Sequence, residues 1–84
     1  MDRNPQRLRY LAHHRGTKEN DYLLGSFANK HLETLTTHEL NQFDALLQQP
    51  DHTIFFWLTE KQGKNHWPDY CKDILSIIHD FHQK

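Results

Sequence analysis

Histidine and cysteine have the widest chemical repertoire of any side chains here, and the sequence holds eight of the first and one of the second. His79 and His82, three residues apart with Asp80 between them, come nearest to metal-ligand spacing on a helix face. Two ligands make half a site at best, because a structural zinc takes four protein ligands and a catalytic zinc three. Solvated surface histidines account for the pair more simply, so no metal is expected. Cys71 beside a histidine would suggest a thiol nucleophile, but no orienting Asn or Asp and no oxyanion device can be read around it. A thiol packed in the core or at its rim is expected instead. No Gly-rich phosphate loop, HExxH or GxSxG occurs. Tyr10, Trp57 and Trp67 offer stacking platforms for a base or a flavin, yet aromatics at helical spacing generally belong to a core. No catalytic residue is assigned, and the chain reads as a binding protein rather than an enzyme.

One stretch survives this screening. Arg15-Gly16-Thr17-Lys18-Glu19-Asn20-Asp21 places a fixed cation, a flexible glycine and two carboxylates within one inter-helix turn. Two readings stay open at this point. The turn is either a glycine C-cap with a local Arg15–Glu19 ion pair, or a contact surface built around that arginine.

The elements that carry this turn are delimited by six breaks: Pro5, Gly16, Gly25, Pro50, Gly63 and Pro68. A first helix is expected from near Pro5 to about His14, with Leu8, Leu11 and Ala12 on one face and Gly16 as its C-terminal cap. Thr17 then caps a second helix from about Lys18 to Glu33, with Leu23, Leu24, Phe27, Ala28 and His31 or Leu32 as its stripe. Gly25 costs that helix about 1 kcal/mol relative to alanine and points to a close helix crossing. Thr36 and Glu39 have the spacing of a capping box ahead of Leu40, Phe43, Leu46 and Leu47, so a third helix starts there. Pro50 ends it, and Asp51 is a good N-cap for a short helix from about His52 to Glu60 with Ile54, Trp57 and Leu58 facing inward. Residues 61–65 read as a loop. Pro68 opens a last helix with Tyr70, Ile74, Ile77, Ile78 and Phe81 at helical spacing. The fold class expected is all-α, a small five-helix bundle in a single domain spanning 1–84, with 1–5 and 82–84 frayed.

Composition narrows the function further. Ten basic side chains against eleven acidic ones provide no basic field for nucleic acid, although residues 1–20 carry five basic groups against Asp2 and Glu19, so one end is basic. The longest apolar run, Ile54 to Leu58, is far below the roughly 20 residues that span a bilayer, and no export signal is visible. With one cysteine and no targeting segment, a cytoplasmic, bacterial location is expected.

The residues also resemble a known family, the SdhE-type FAD assembly factors of succinate dehydrogenase, some of which are described as YgfY or CptB-like antitoxins. The family's RGxxE signature is matched by Arg15, Gly16 and Glu19. Asp21, the Leu24-Gly25-x-Phe27-Ala28 stretch and Trp57-Leu58 after Pro50-Asp51 match as well, so the resemblance covers about residues 7 to 60. The chain departs from the pattern at His14, where members often carry arginine or another basic residue, and at Asn20, where they carry a hydrophobic one.

The resemblance implies a bundle that binds the flavoprotein subunit of succinate dehydrogenase, sometimes of fumarate reductase, in a transient heterodimer and promotes covalent attachment of FAD to it. It implies no cofactor held tightly by the chain itself, FAD being installed in the client, and a monomer when free, with no nucleic acid and no membrane insertion. Partner binding falls on Arg15, Gly16, Glu19 and Asp21, flanked by His14 and Lys18. In this reading Arg15 anchors a client carboxylate or carbonyl, Gly16 permits close backbone approach, and Glu19 and Asp21 accept from the client or orient Arg15. The alternative is an antitoxin-type regulator acting on a toxin or a cytoskeletal target. A flavin-binding enzyme is a third class.

Overall fold

The structure, a computed structural model, describes residues 4–83. Expected fraying at 1–3 and 84 lies outside the described residues; at Asn4 the side-chain Oδ1 accepts from Gln6 N at 2.8 Å and caps the first helix. Five α-helices follow in order: α1 (Pro5–His13), α2 (Lys18–His31), α3 (Thr37–Leu47), α4 (Asp51–Thr59) and α5 (Lys72–His82). Short 3-10 turns occupy Leu32–Thr34, Gly63–His66 and Asp69–Cys71, and no strand occurs among the described residues. The radius of gyration, 11.5 Å, is what one compact body of this length gives, about 12 Å. The all-α, five-helix, single-domain expectation holds.

Local chemistry accounts for several helix starts. Thr17 accepts from Asn20 N at 3.3 Å and opens α2. At α3 the capping box is complete: Thr36 Oγ1 accepts from Glu39 N at 3.1 Å, and Glu39 Oε1 accepts from Thr36 N at 2.9 Å. Helix α5 has no side-chain cap from its own turn. Its Ile74 N–H is satisfied instead by buried Gln42 of α3, whose Oε1 accepts it at 2.9 Å. That bond fastens α3 to α5 and satisfies one of the amides a helix start leaves open.

The core is formed by Leu8 and Ala12 of α1, Leu24, Phe27 and Ala28 of α2, Phe43, Leu46 and Leu47 of α3, Ile54, Trp57 and Leu58 of α4, and Ile74, Leu75 and Ile78 of α5. Leu32 and Cys71 complete it from the 3-10 turns. Cys71 is thus a packed thiol, and burial pushes it up to about 11. The close crossing expected at Gly25 is present: a Cβ there would lie 2.6 Å from the His13 ring of α1. Trp67 is partly buried and donates its indole N–H to Trp57 O at 2.9 Å.

Several expectations are corrected. Helix α2 stops at His31 and tightens into a 3-10 turn, leaving His31 exposed and Leu32 in the core. Tyr10 is 62% exposed and stacks on His14 at 4.1 Å between centroids, so it is a surface aromatic. Tyr70, expected on the inward face of the last helix, sits in the preceding 3-10 turn and is exposed. Asp51 is the first residue of α4 rather than its cap; Pro50 takes the cap position, and no side chain caps there. The reason lies in what the Asp51 carboxylate binds instead.

Candidate functional site

The turn between α1 and α2 is shaped by Gly16, whose φ of +103° lies in the left-handed region that side-chain-bearing residues rarely adopt. This conformation reverses the chain right after Arg15 and leaves Thr17 extended to cap α2. Asp21 holds the turn from inside α2, its Oδ1 accepting from Arg15 N at 2.7 Å. The Asp21 carboxylate therefore holds the Arg15 backbone amide, while the guanidinium takes other partners.

Arg15 points into the protein. Only 12% of its side chain is exposed. Its Nε donates to Asp51 Oδ1 at 2.9 Å, Nη2 donates to Gln49 O at 2.6 Å and Nη1 donates to Leu47 O. The planar fork thus satisfies two carbonyls at the end of α3 and pairs with a carboxylate in the first turn of α4. Both placements are electrostatically favourable, a cation at a helix C-terminus and an anion at a helix N-terminus. Arg15 clamps the α3–α4 corner to the α1–α2 turn.

Asn20 braces the same corner. It is fully buried, and its Nδ2 donates to Asp51 O at 2.8 Å and to Asp51 Oδ1 at 3.3 Å. Asp51 is consequently occupied by Arg15 and Asn20, which is why it does not cap α4. The Arg15–Glu19 ion pair of the local reading is not formed, because Arg15 is taken by Asp51 across 36 residues of sequence. Each of the three Arg15 nitrogens has a partner within the chain, which uses three of the five guanidinium N–H groups.

The remaining candidates lie on the surface of this corner. Gly16, His14, Lys18 and Glu19 are exposed, and Glu19 has no hydrogen bond or ion pair among the described residues. Glu19 lines a cleft of about 280 Å³ with Thr17, Asn20, Asp51, His52 and Phe55. His14 stands apart from that cleft, against Tyr10. Asn20, Asp51, His52 and Phe55 were not assigned to the site from sequence. No short-range signal marks Asp51, His52 and Phe55, since α4 reaches the turn only through the packing of the bundle, and Asn20, though within the turn's own stretch, is no part of the motif.

Elsewhere the histidines serve structure. His82 Nε2 donates to Leu23 O at 2.8 Å, and His79 lies 3.9 Å from Asp80. No group of three or more His, Cys, Asp or Glu side chains able to hold a metal ion is found among the described residues. No described helix is long and apolar enough to cross a membrane.

Over residues 6–82 the chain matches the family described as flavinator of succinate dehydrogenase. It belongs to that family. Among its relatives are proteins named succinate dehydrogenase assembly factor 2, mitochondrial. The one from Candida glabrata is 39% identical over 83 residues, which cover 96% of this chain and 54% of that protein. The one from Meyerozyma guilliermondii is 42% identical over 74 residues, covering 86% and 55%, and that from Scheffersomyces stipitis 40% over 82, covering 95% and 55%. The chain therefore spans about half the length of the curated relatives it matches. No solved structure matches it. The placement as a bacterial cytoplasmic protein is overturned by these relatives, which are eukaryotic and named mitochondrial.

Proposed function

We propose that this chain is an assembly factor that binds the flavoprotein subunit of succinate dehydrogenase and promotes covalent attachment of FAD to it. The observation that carries the reading is the family match over residues 6–82, which takes in all five helices and the Arg15-Gly16-x-x-Glu19 turn. Covalent flavin attachment is chemistry between the cofactor and a side chain of the client. The helper therefore need only hold the client in the conformation that aligns the two, a gain in effective concentration and orientation. A rigid helical corner suits that task, and no catalytic group of the chain is required. The chain itself holds no FAD tightly, meets its client as a transient heterodimer and is a monomer when free.

Within this reading the site residues divide their work. Gly16, Glu19, Lys18 and His14 meet the client directly, Gly16 by allowing its backbone to approach. Arg15 and Asp21 act from behind, keeping the turn and the start of α4 in one arrangement. The test is in-gel flavin fluorescence of the flavoprotein subunit, produced with and without this chain. Flavin attachment that depends on the chain supports the assembly role, and equal attachment without it refutes that role. Copurification of a toxin in place of the flavoprotein would favour the antitoxin alternative.

A further inference from the structure

Asn20 has a polar atom without a partner among the described residues. Its Nδ2 gives both hydrogens to Asp51 oxygens, which settles the orientation of the amide, because a flipped amide would set oxygen against oxygen. Its Oδ1 is then buried with no hydrogen-bond partner, although the residue lines the cleft between the first turns of α2 and α4. A buried amide oxygen left without a donor destabilises the free protein, and a ligand N–H supplied from the cleft removes that penalty.

The rest of the lining asks for the same chemistry. Glu19 is exposed with no partner among the described residues. Asp51 spends Oδ1 on Arg15 and Asn20 and keeps Oδ2 on the side facing Gly16. The N-termini of α2 and α4 bring about half a positive charge each, which taken alone would favour an anion. Of the lining carboxylates Asp51 is paired with Arg15, so Glu19 presents the carboxylate left for a ligand cation, beside His52. Phe55, 38% exposed, adds an apolar wall. The cleft, about 280 Å³ and open to solvent, has room for one long side chain.

We propose that this cleft is a subsite for a basic side chain of the client protein, its cationic head hydrogen-bonding Asn20 Oδ1 and pairing with Glu19 while its aliphatic stem lies on Phe55. The inference rests on the assembly-factor reading for the identity of the client, not for the chemistry of the cleft. Arginine fits better than lysine, because several donors in one plane can reach Asn20 and Glu19 together.

The test uses the intact chain, isotopically labelled, titrated with N-acetyl-arginine methylamide and with its neutral isostere N-acetyl-citrulline methylamide. The arginine probe should bind with millimolar affinity and shift the Asn20 side-chain amide and the Glu19 and Phe55 backbone signals. Binding should weaken roughly fivefold in Glu19→Gln, as expected for an ion pair at a partly exposed site. Phe55→Ala should weaken it as well, and the citrulline probe should bind less tightly than arginine. Absence of shifts at Asn20 and Glu19, equal binding of the two probes, or unchanged binding in Glu19→Gln would overturn the subsite. So would a resident water that stays on Asn20 Oδ1 at saturating probe. Intact flavin attachment with a failed titration removes the subsite alone, whereas a successful titration without flavin attachment removes the assembly role and leaves the subsite standing.

Discussion

Replacing Arg15 by lysine distinguishes an internal clamp from a side chain that grips the client. The guanidinium donates to the Asp51 carboxylate and to the carbonyls of Leu47 and Gln49, with 12% of its own side chain and 26% of that of Asp51 exposed. Lysine keeps the charge but not the planar fork, so at least one carbonyl at the end of α3 loses its donor. Hydrogen bonds to charged groups contribute about 1.5–3 kcal/mol each, which puts Arg15→Lys at about 2 kcal/mol of lost stability. Arg15→Ala, which abandons Asp51 in a mostly buried setting, should cost about 3–5 kcal/mol.

In a domain of this size each kcal/mol moves the melting temperature by about 4–8 °C, so Arg15→Lys should melt roughly 8–16 °C below the parent protein. Circular dichroism melts measure this, and a double-mutant cycle identifies the partner. Arg15→Met with Asp51→Ala should show a coupling of about 2 kcal/mol, and Arg15→Met with Glu19→Ala a coupling close to zero. A melting temperature unchanged in Arg15→Lys, together with lost flavin attachment, would refute the reasoning. The guanidinium would then do its work on the client and not on the α3–α4 corner.

The other predictions concern neighbouring parts of the same account. Glu19→Ala removes an exposed carboxylate with no partner among the described residues, so the melting temperature should stay within about 2 °C while flavin attachment to the client falls. Gly16→Ala meets no steric obstacle, since the nearest side-chain atom would be 3.6 Å away. Its cost, about 1 kcal/mol or more by denaturant unfolding, should come from the backbone at φ +103°. Trp57→Ala empties a buried core position and should lower stability by about 3–5 kcal/mol in the same assay. Cys71 has its thiol raised by burial from 9.0 to about 11, so below pH 9 its neutral form supports the fold fully. Between pH 9 and 11 the unfolded chain gives up that proton first and stability falls, a loss that Cys71→Ala should reduce in unfolding curves taken across this range.

Most of the helices were legible because the signals that start and stop them act over three or four residues. Thr17 and the Thr36–Glu39 box cap the helices they precede; Gly16 is left-handed, but the C-cap position of α1 expected of it is taken by His14, because the helix ends one residue earlier, at His13. The apolar stripes of α2 and α3 fill the core because helical spacing puts those residues on one face whatever packs against them. The position of the candidate turn was legible for the same reason, together with its motif. What Arg15 and Asp51 do was not. A local rule makes Asp51 a helix cap and offers Arg15 the carboxylate four residues on, yet the partners actually chosen lie 31 to 36 residues away in sequence. Only the packing of α3 and α4 against the first turn brings those carbonyls and that carboxylate within reach. Once they are there, a partly buried guanidinium gains more from three enclosed acceptors than from one solvated glutamate. The tertiary structure therefore decided which motif residues face outward, and it added Asn20, Asp51, His52 and Phe55 to the candidate site.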